Sequence, residues 1–173
     1  MKKFRHGIVK YFILLLAIAF SMDVKAQDPT DSLPGDPGAI YVYTYQNLQF
    51  GVFAQGGSGG TITVSNSGGR SATGSIILIN QGGSFFQSII DVEATPGSLI
   101  SITNGADATL TGSNGGTVTL TIGNSDPVSP FNTSVSPPAR TPVNIGGTLT
   151  IGNPAASPPG VYTGVFYITF NQE

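Results

Sequence analysis

No cysteine and no tryptophan occur among the 173 residues, and histidine occurs once, at His6. Charge is scarce: seven Lys and Arg with nine Asp and Glu make up 9% of the chain. Together with 39% hydrophobic content, this is not the composition of a disordered tail, which is rich in charge and poor in apolar residues. Glycine (24) and proline (12) are abundant, but glycine has no three-residue period, which excludes a collagen-like triple helix. The length fits a single domain.

Most of the cations crowd the start. Lys2, Lys3, Arg5 and Lys10 precede an apolar run from Tyr11 to Met22 that includes Phe12-Ile13-Leu14-Leu15-Leu16. Val24-Lys25-Ala26 follows, then the polar Gln27. A basic segment, an apolar segment and a small residue at the cut site are the three parts of a secretory signal. The apolar run is short for a helix that spans a bilayer. Residues 1–26 are therefore read as a signal peptide cut between Ala26 and Gln27, rather than an uncleaved anchor. No cysteine follows to carry a lipid.

Processing at that point removes five of the seven cations and the only histidine. Arg70 and Arg140 remain against eight carboxylates, a net charge of −6. Without His, Cys or Lys, a Ser-His, Cys-His or Ser-Lys nucleophile system is impossible. A thiolate or imidazole zinc site is equally excluded. Two cations cannot build a surface that tracks phosphates, so nucleic acid is not an expected partner. Attraction to anionic lipid has no support either. The expectation is no enzyme, no cofactor, no metal, and no membrane span after processing. The expected location is secreted: periplasm, outer surface or extracellular space. A chain of 147 residues buries roughly two-thirds of its unfolded surface, enough for a core without disulfides.

Residues 27–38 (QDPTDSLPGDPG) have no periodicity and read as a flexible acidic linker. From residue 39 to 173 the chain alternates between strand and turn. Runs rich in Val, Ile, Thr, Phe and Tyr with period two lie at 39–45, 48–53, 60–66, 74–80, 86–93, 98–103, 108–111, 116–122, 143–151 and 161–170. Asn104-Gly105 and Asn114-Gly115 suit turns with positive φ, and Gly56-Gly57, Gly68-Gly69, Gly82-Gly83 and Gly146-Gly147 punctuate the runs. Ser125 to Pro142, with five prolines, reads as a long loop that crosses between sheets or covers an edge. No helical periodicity sustains three turns, so the fold class is all-β, an antiparallel β-sandwich. The last run puts Tyr162, Phe166, Ile168 and Phe170 on one face and is expected to be a central core strand. It ends three residues before Glu173, which suggests no sorting tail.

An ordered set of short motifs follows this pattern. Leu48-Gln-Phe-Gly51, the Gly-Gly-Thr-Ile-Thr-Val of 59–64, the Ser-Gly-Gly-Arg-Ser of 67–71 and Thr73-Gly74 come first. Ile145-Gly-Gly-Thr-Leu-Thr-Ile151 and Pro159-Gly-Val-Tyr-Thr-Gly-Val-Phe166 close the chain. In this order they resemble a bacterial secreted family catalogued as domain of unknown function 4402. That family is distantly similar to spore coat protein U and chaperone–usher pilin subunits. The resemblance implies an immunoglobulin- or pilin-like sandwich, exported and assembled on the surface by strand donation, and it supplies no catalytic residues. The sequence departs from many pilins in lacking their cysteine pair.

Five sets of residues are candidate sites. Tyr41, Tyr43 and Tyr45 share one face of the first run, where an aromatic row can stack on sugar rings or enter a partner's groove, or simply cover the sandwich. Ile40 and Val42, on the other face and next to the linker, form what a donated strand needs, or pair within the chain. Asp91 and Glu93, two apart, share a face that suits glycoside chemistry, Ca²⁺ together with Asp107 or Asp126, or plain solvation. Arg70, in a Gly/Ser turn, suits a surface ion pair or an acidic glycan. Asp31-Ser32-Leu33 resembles a short O-glycosylation pattern centred on Ser32. The functional expectation is an exported structural or adhesive surface protein, a fimbrial or pilin-like subunit. Its partners would be itself or related surface subunits through strand pairing. The alternative is a carbohydrate-binding module that uses the tyrosine face on glycans.

Overall fold

The computed structural model describes residues 38–173. The expected signal peptide, with its cut between Ala26 and Gln27, and Ser32 lie outside them. Among the described residues there is no helix, so none is long and apolar enough to cross a membrane. The strands are β1 (Tyr41–Gln46), β2 (Gln49–Phe50), β3 (Val52–Val64), β4 (Arg70–Ile79), β5 (Phe85–Phe86), β6 (Ser88–Glu93) and β7 (Leu99–Asn104). They continue with β8 (Ala108–Gly112), β9 (Thr117–Asp126), β10 (Phe131–Asn132), β11 (Thr141–Ile151), β12 (Tyr162–Thr163) and β13 (Ile168–Gln172). All ladders between them are antiparallel, in agreement with the all-β sandwich expected from the alternation.

The central strand is β11. Its first half, Thr141–Ile145, pairs with β6, and its second half, Gly147–Ile151, pairs with β3. Its other edge pairs with β9 from Asn144 to Thr150, with a register shift between Ile145 and Gly147. The large sheet therefore runs β1-β6-β11-β9-β8-β12, with β3 and β4 branching from β11. Gly146 stands where β11 changes partner. A Cβ there would run into the Val64 carbonyl, so the close approach of β3 requires glycine.

Alternation decides which side chains go inward. Val143 and Ile145 enter one core with Ile90, Val92, Ile100 and Phe131, while Leu149 and Ile151 enter a second core with Ile62, Val64, Leu110, Val118 and Leu120. Ile62, Val64, Val92, Ile100, Val143 and Ile145 are fully buried, each worth roughly 1.5–3 kcal/mol of transfer free energy. The small sheet β10-β7-β13 packs over the first of these cores. The outward positions hold threonines, and hydroxyls meet across strands at Thr61–Thr73 (2.7 Å) and Thr63–Thr148 (2.9 Å).

Three expectations need correction. The 161–170 run is not one central strand. Tyr162–Thr163 pairs with β8 at one end of the large sheet, and Ile168–Gln172 pairs with β7 at the edge of the small one. The chain crosses between sheets from Gly164 to Tyr167, and alternation carries through the crossing. Tyr162 and Phe166 thus reach one core, Ile168 and Phe170 the other, all four only half-buried. Gly56-Gly57 does not separate strands: it lies inside β3, where the register against β4 shifts between Gln55 and Gly60. The 125–142 segment covers the edge of β7 as expected, but it does so with a strand, β10, whose Phe131 is buried.

Candidate functional site

The outer face of β1, β6 and β11 collects most of the sequence candidates. Register sets Tyr41 opposite Glu93 and Tyr43 opposite Asp91, so the tyrosines and both carboxylates share one side of the sheet. Tyr41 and Tyr43 are exposed by 39% and 37%, and Tyr45, at a register shift in β1, by 74%. Ile40 is half-buried against the Val92 core, whereas Val42 is 44% exposed although it points to the core side. At the sheet's margin, Val42 has a neighbouring strand, β6, on one side only.

Arg140 joins this face from the residue before β11. Its Nε donates to Glu93 Oε2 at 3.2 Å, and its guanidinium lies 3.8 Å from the Tyr43 ring centroid. Glu93 is only 7% exposed, so the ion pair is what allows a carboxylate to be buried there. The arrangement settles two candidates. Asp91 and Glu93 do share a face, but Glu93 is committed to Arg140 and the two do not form a pair of free carboxyls. One face of the Tyr43 ring is taken by the guanidinium, which leaves Tyr41 and Tyr45 as the open rings. Asp107 precedes β8 and Asp126 ends β9. Among the described residues no three acidic groups gather as a metal-ligand set. Nothing in the sequence linked Arg140 to Glu93, because the contact spans 47 positions and depends on the β6–β11 register.

Arg70 is not the surface ion pair that its turn suggested. Its Nη1 donates to the Phe50 carbonyl at 2.9 Å and to the Val52 carbonyl at 3.3 Å. Its Nη2 donates to the Ile79 carbonyl and to Asn80 Oδ1, both at 3.0 Å, and the guanidinium stacks 4.4 Å from the Phe85 centroid. The residue fastens backbone together and is not presented to a ligand. A shallow cleft of about 240 Å³ opens where β11 changes partner, lined by Thr63, Ser65, Asn66, Asn124 and Thr148 without a titratable side chain.

A family model described as a domain of unknown function (DUF4402) matches residues 40–171. The chain belongs to the DUF4402 family. The match takes in every strand of the sandwich from β1 to the greater part of β13. No curated protein and no solved structure matches the chain. Within this DUF4402 domain the features exposed in the candidate face are tyrosine rings and a marginal strand.

Proposed function

We propose that this chain is an exported structural or adhesive protein of the cell surface, a pilin-like subunit that assembles through its strand edges. The observation that carries the reading is the position of β1. It bounds the large sheet, pairs with β6 alone, and leaves the core-side Val42 44% exposed. A strand held on one side and following an export signal and linker is one that a neighbouring subunit can replace or extend. In this structure it completes its own sheet, so exchange is a competition between two equivalent pairings.

Cells that express the full chain provide the test. Immunolabelling of intact cells should detect it at the surface, with mature protein starting at Gln27 and migrating in assemblies that survive mild detergent. Protein retained in the cytoplasm, or strictly monomeric on the surface, overturns the reading.

A second reading is favoured by the tyrosine face. Tyr41 and Tyr45 expose rings on β1, and Asp91 stands opposite Tyr43 between them, a combination suited to stacking on a sugar and accepting its hydroxyl hydrogen bonds. Glycan-array binding that is lost in Tyr41→Ala and Tyr45→Ala would establish a carbohydrate-binding module. An empty array with correctly folded protein removes it.

A further inference from the structure

Arg140 shows what kind of group the outer face of β1 and β6 holds. Its guanidinium lies 3.8 Å from the Tyr43 ring centroid while its Nε donates to Glu93 Oε2, so a cation is held by an aromatic ring and a carboxylate together. Rings and carboxylates run in step along the two strands: Tyr41 stands opposite Glu93, and Tyr43 opposite Asp91. Two carboxylates thus share the face with one cation. Arg140 compensates Glu93, and Arg70 is bonded to the carbonyls of Phe50, Val52 and Ile79 elsewhere. Asp91 is half-buried and has no hydrogen-bond or ion-pair partner for its carboxylate among the described residues. On β11 the position opposite Asp91 is Pro142, which has no N–H and no polar side chain to offer. The Tyr41 ring is open, and its residue is the diagonal neighbour of Asp91, roughly 7–8 Å away across the strands.

We propose that Tyr41 and Asp91 form a subsite for an amino sugar: the ring stacks on the sugar face, and the carboxylate receives the ammonium group of a glycan with free amines. The proposal rests on the carbohydrate-binding reading of this face and names the class of glycan. Charge selects the amine. A neutral sugar laid over Asp91 takes water from a carboxylate and leaves its charge uncompensated. An ammonium donates hydrogen bonds and cancels the charge, as Arg140 does for Glu93. An acidic sugar meets repulsion, because Asp91, Glu93, Asp107, Asp126 and Glu173 outnumber Arg70 and Arg140 among the described residues. The sheet disfavours a basic peptide. Peptides add to sheet edges or lie in grooves, whereas β6 already pairs with β1 on one side and β11 on the other. The face around Asp91 therefore offers side chains and no free main chain, which suits a stacked sugar.

Calorimetric titration of the full chain from Gln27 tests it, with glucosamine oligomers and with the same oligomers N-acetylated. The free-amine oligomers should bind at least tenfold tighter, and the preference should shrink as salt rises. Asp91→Asn should bring the two oligomers to equal affinity while the urea midpoint stays unchanged. Asp107→Asn, which removes the same charge ahead of β8, should keep the preference. Tyr41→Ala should weaken both oligomers at least tenfold. Equal binding of the two by the wild type, or a preference that survives Asp91→Asn, overturns the proposal and leaves the carbohydrate-binding reading standing. Binding of neither overturns both. An arginine-rich peptide that binds tighter than either oligomer, and is lost in Asp91→Asn, also overturns it and gives the subsite to a basic peptide.

Discussion

Arg70 and Ile79 are the first and last residues of the same strand, yet Arg70 Nη2 donates to the Ile79 carbonyl oxygen at 3.0 Å. A straight strand of ten residues would hold its ends about 30 Å apart. The β3–β4 hairpin is therefore folded back on itself. The bend falls at the register shift between Gln55 and Gly60, where Gly59 and Gly74 take φ values of +71° and +69°. A Cβ on Gly74 would lie 2.6 Å from the Gly59 carbonyl oxygen, so the corner tolerates only glycine there. Through its bonds to Phe50, Val52, Ile79 and Asn80, Arg70 ties the two ends of the bent hairpin.

Removing that tie should loosen the hairpin. Arg70→Ala is expected to cost about 1.5–3 kcal/mol, the range for hydrogen bonds to a charged group. Arg70→Lys keeps the charge but loses the planar fork, and a point charge cannot serve four acceptors on different segments. The lysine variant should recover less than half of the loss in urea unfolding. A lysine variant as stable as wild type would show that charge alone matters.

Arg140 and Glu93 should behave as a coupled pair. Arg140→Gln leaves the Glu93 carboxylate buried with no cation and should cost about 1–3 kcal/mol. Glu93→Gln relieves that burden, so the double variant should be more stable than the two single losses added together. Strict additivity in a double-mutant cycle would mean that the contact contributes nothing.

Leu149→Ala and Phe166→Ala separate the central strand from the terminal one. Leu149 is 4% exposed on β11, and its truncation should cost roughly 2–5 kcal/mol. Phe166 is half-buried at the sheet crossing, so its loss should be clearly smaller, although the side chain removed is larger. Denaturant midpoints in the reverse order would return the C-terminal segment to the middle of the core.

Thr141 offers a gain. Its Oγ1 is buried without a hydrogen-bond partner, on the strand position opposite the fully buried Val92. Thr141→Val keeps the shape and removes the unpaired hydroxyl, and should stabilise the domain by about 1 kcal/mol. An unchanged or lowered thermal midpoint would show that the hydroxyl is satisfied in solution.

The strand content and the inward faces were legible because a half-buried strand writes its environment into every second residue. Val118 and Leu120 alternate with Thr117, Thr119 and Thr121, and the alternation alone sorts them. The Asp91/Glu93 face and the Tyr41/Tyr43 face follow from the same period, but that the two faces are one required the β1–β6 register. Period two reports which side of a sheet a residue occupies, not which sheet or which neighbour. It ran unbroken through the crossing between β12 and β13, and it could not distinguish a corner at Gly59 and Gly74 from a turn between strands. Arg70 and Arg140, the two cations that follow residue 26, show the same limit. Composition identified them as scarce, but each found its role through partners set by long-range pairing: carbonyls at both ends of a folded hairpin, and a carboxylate 47 residues away. Side-chain period is a local property of the backbone. Strand order, register and the two arginines' partners are decided by which distant segments bury each other's apolar faces, and only the tertiary structure settles that.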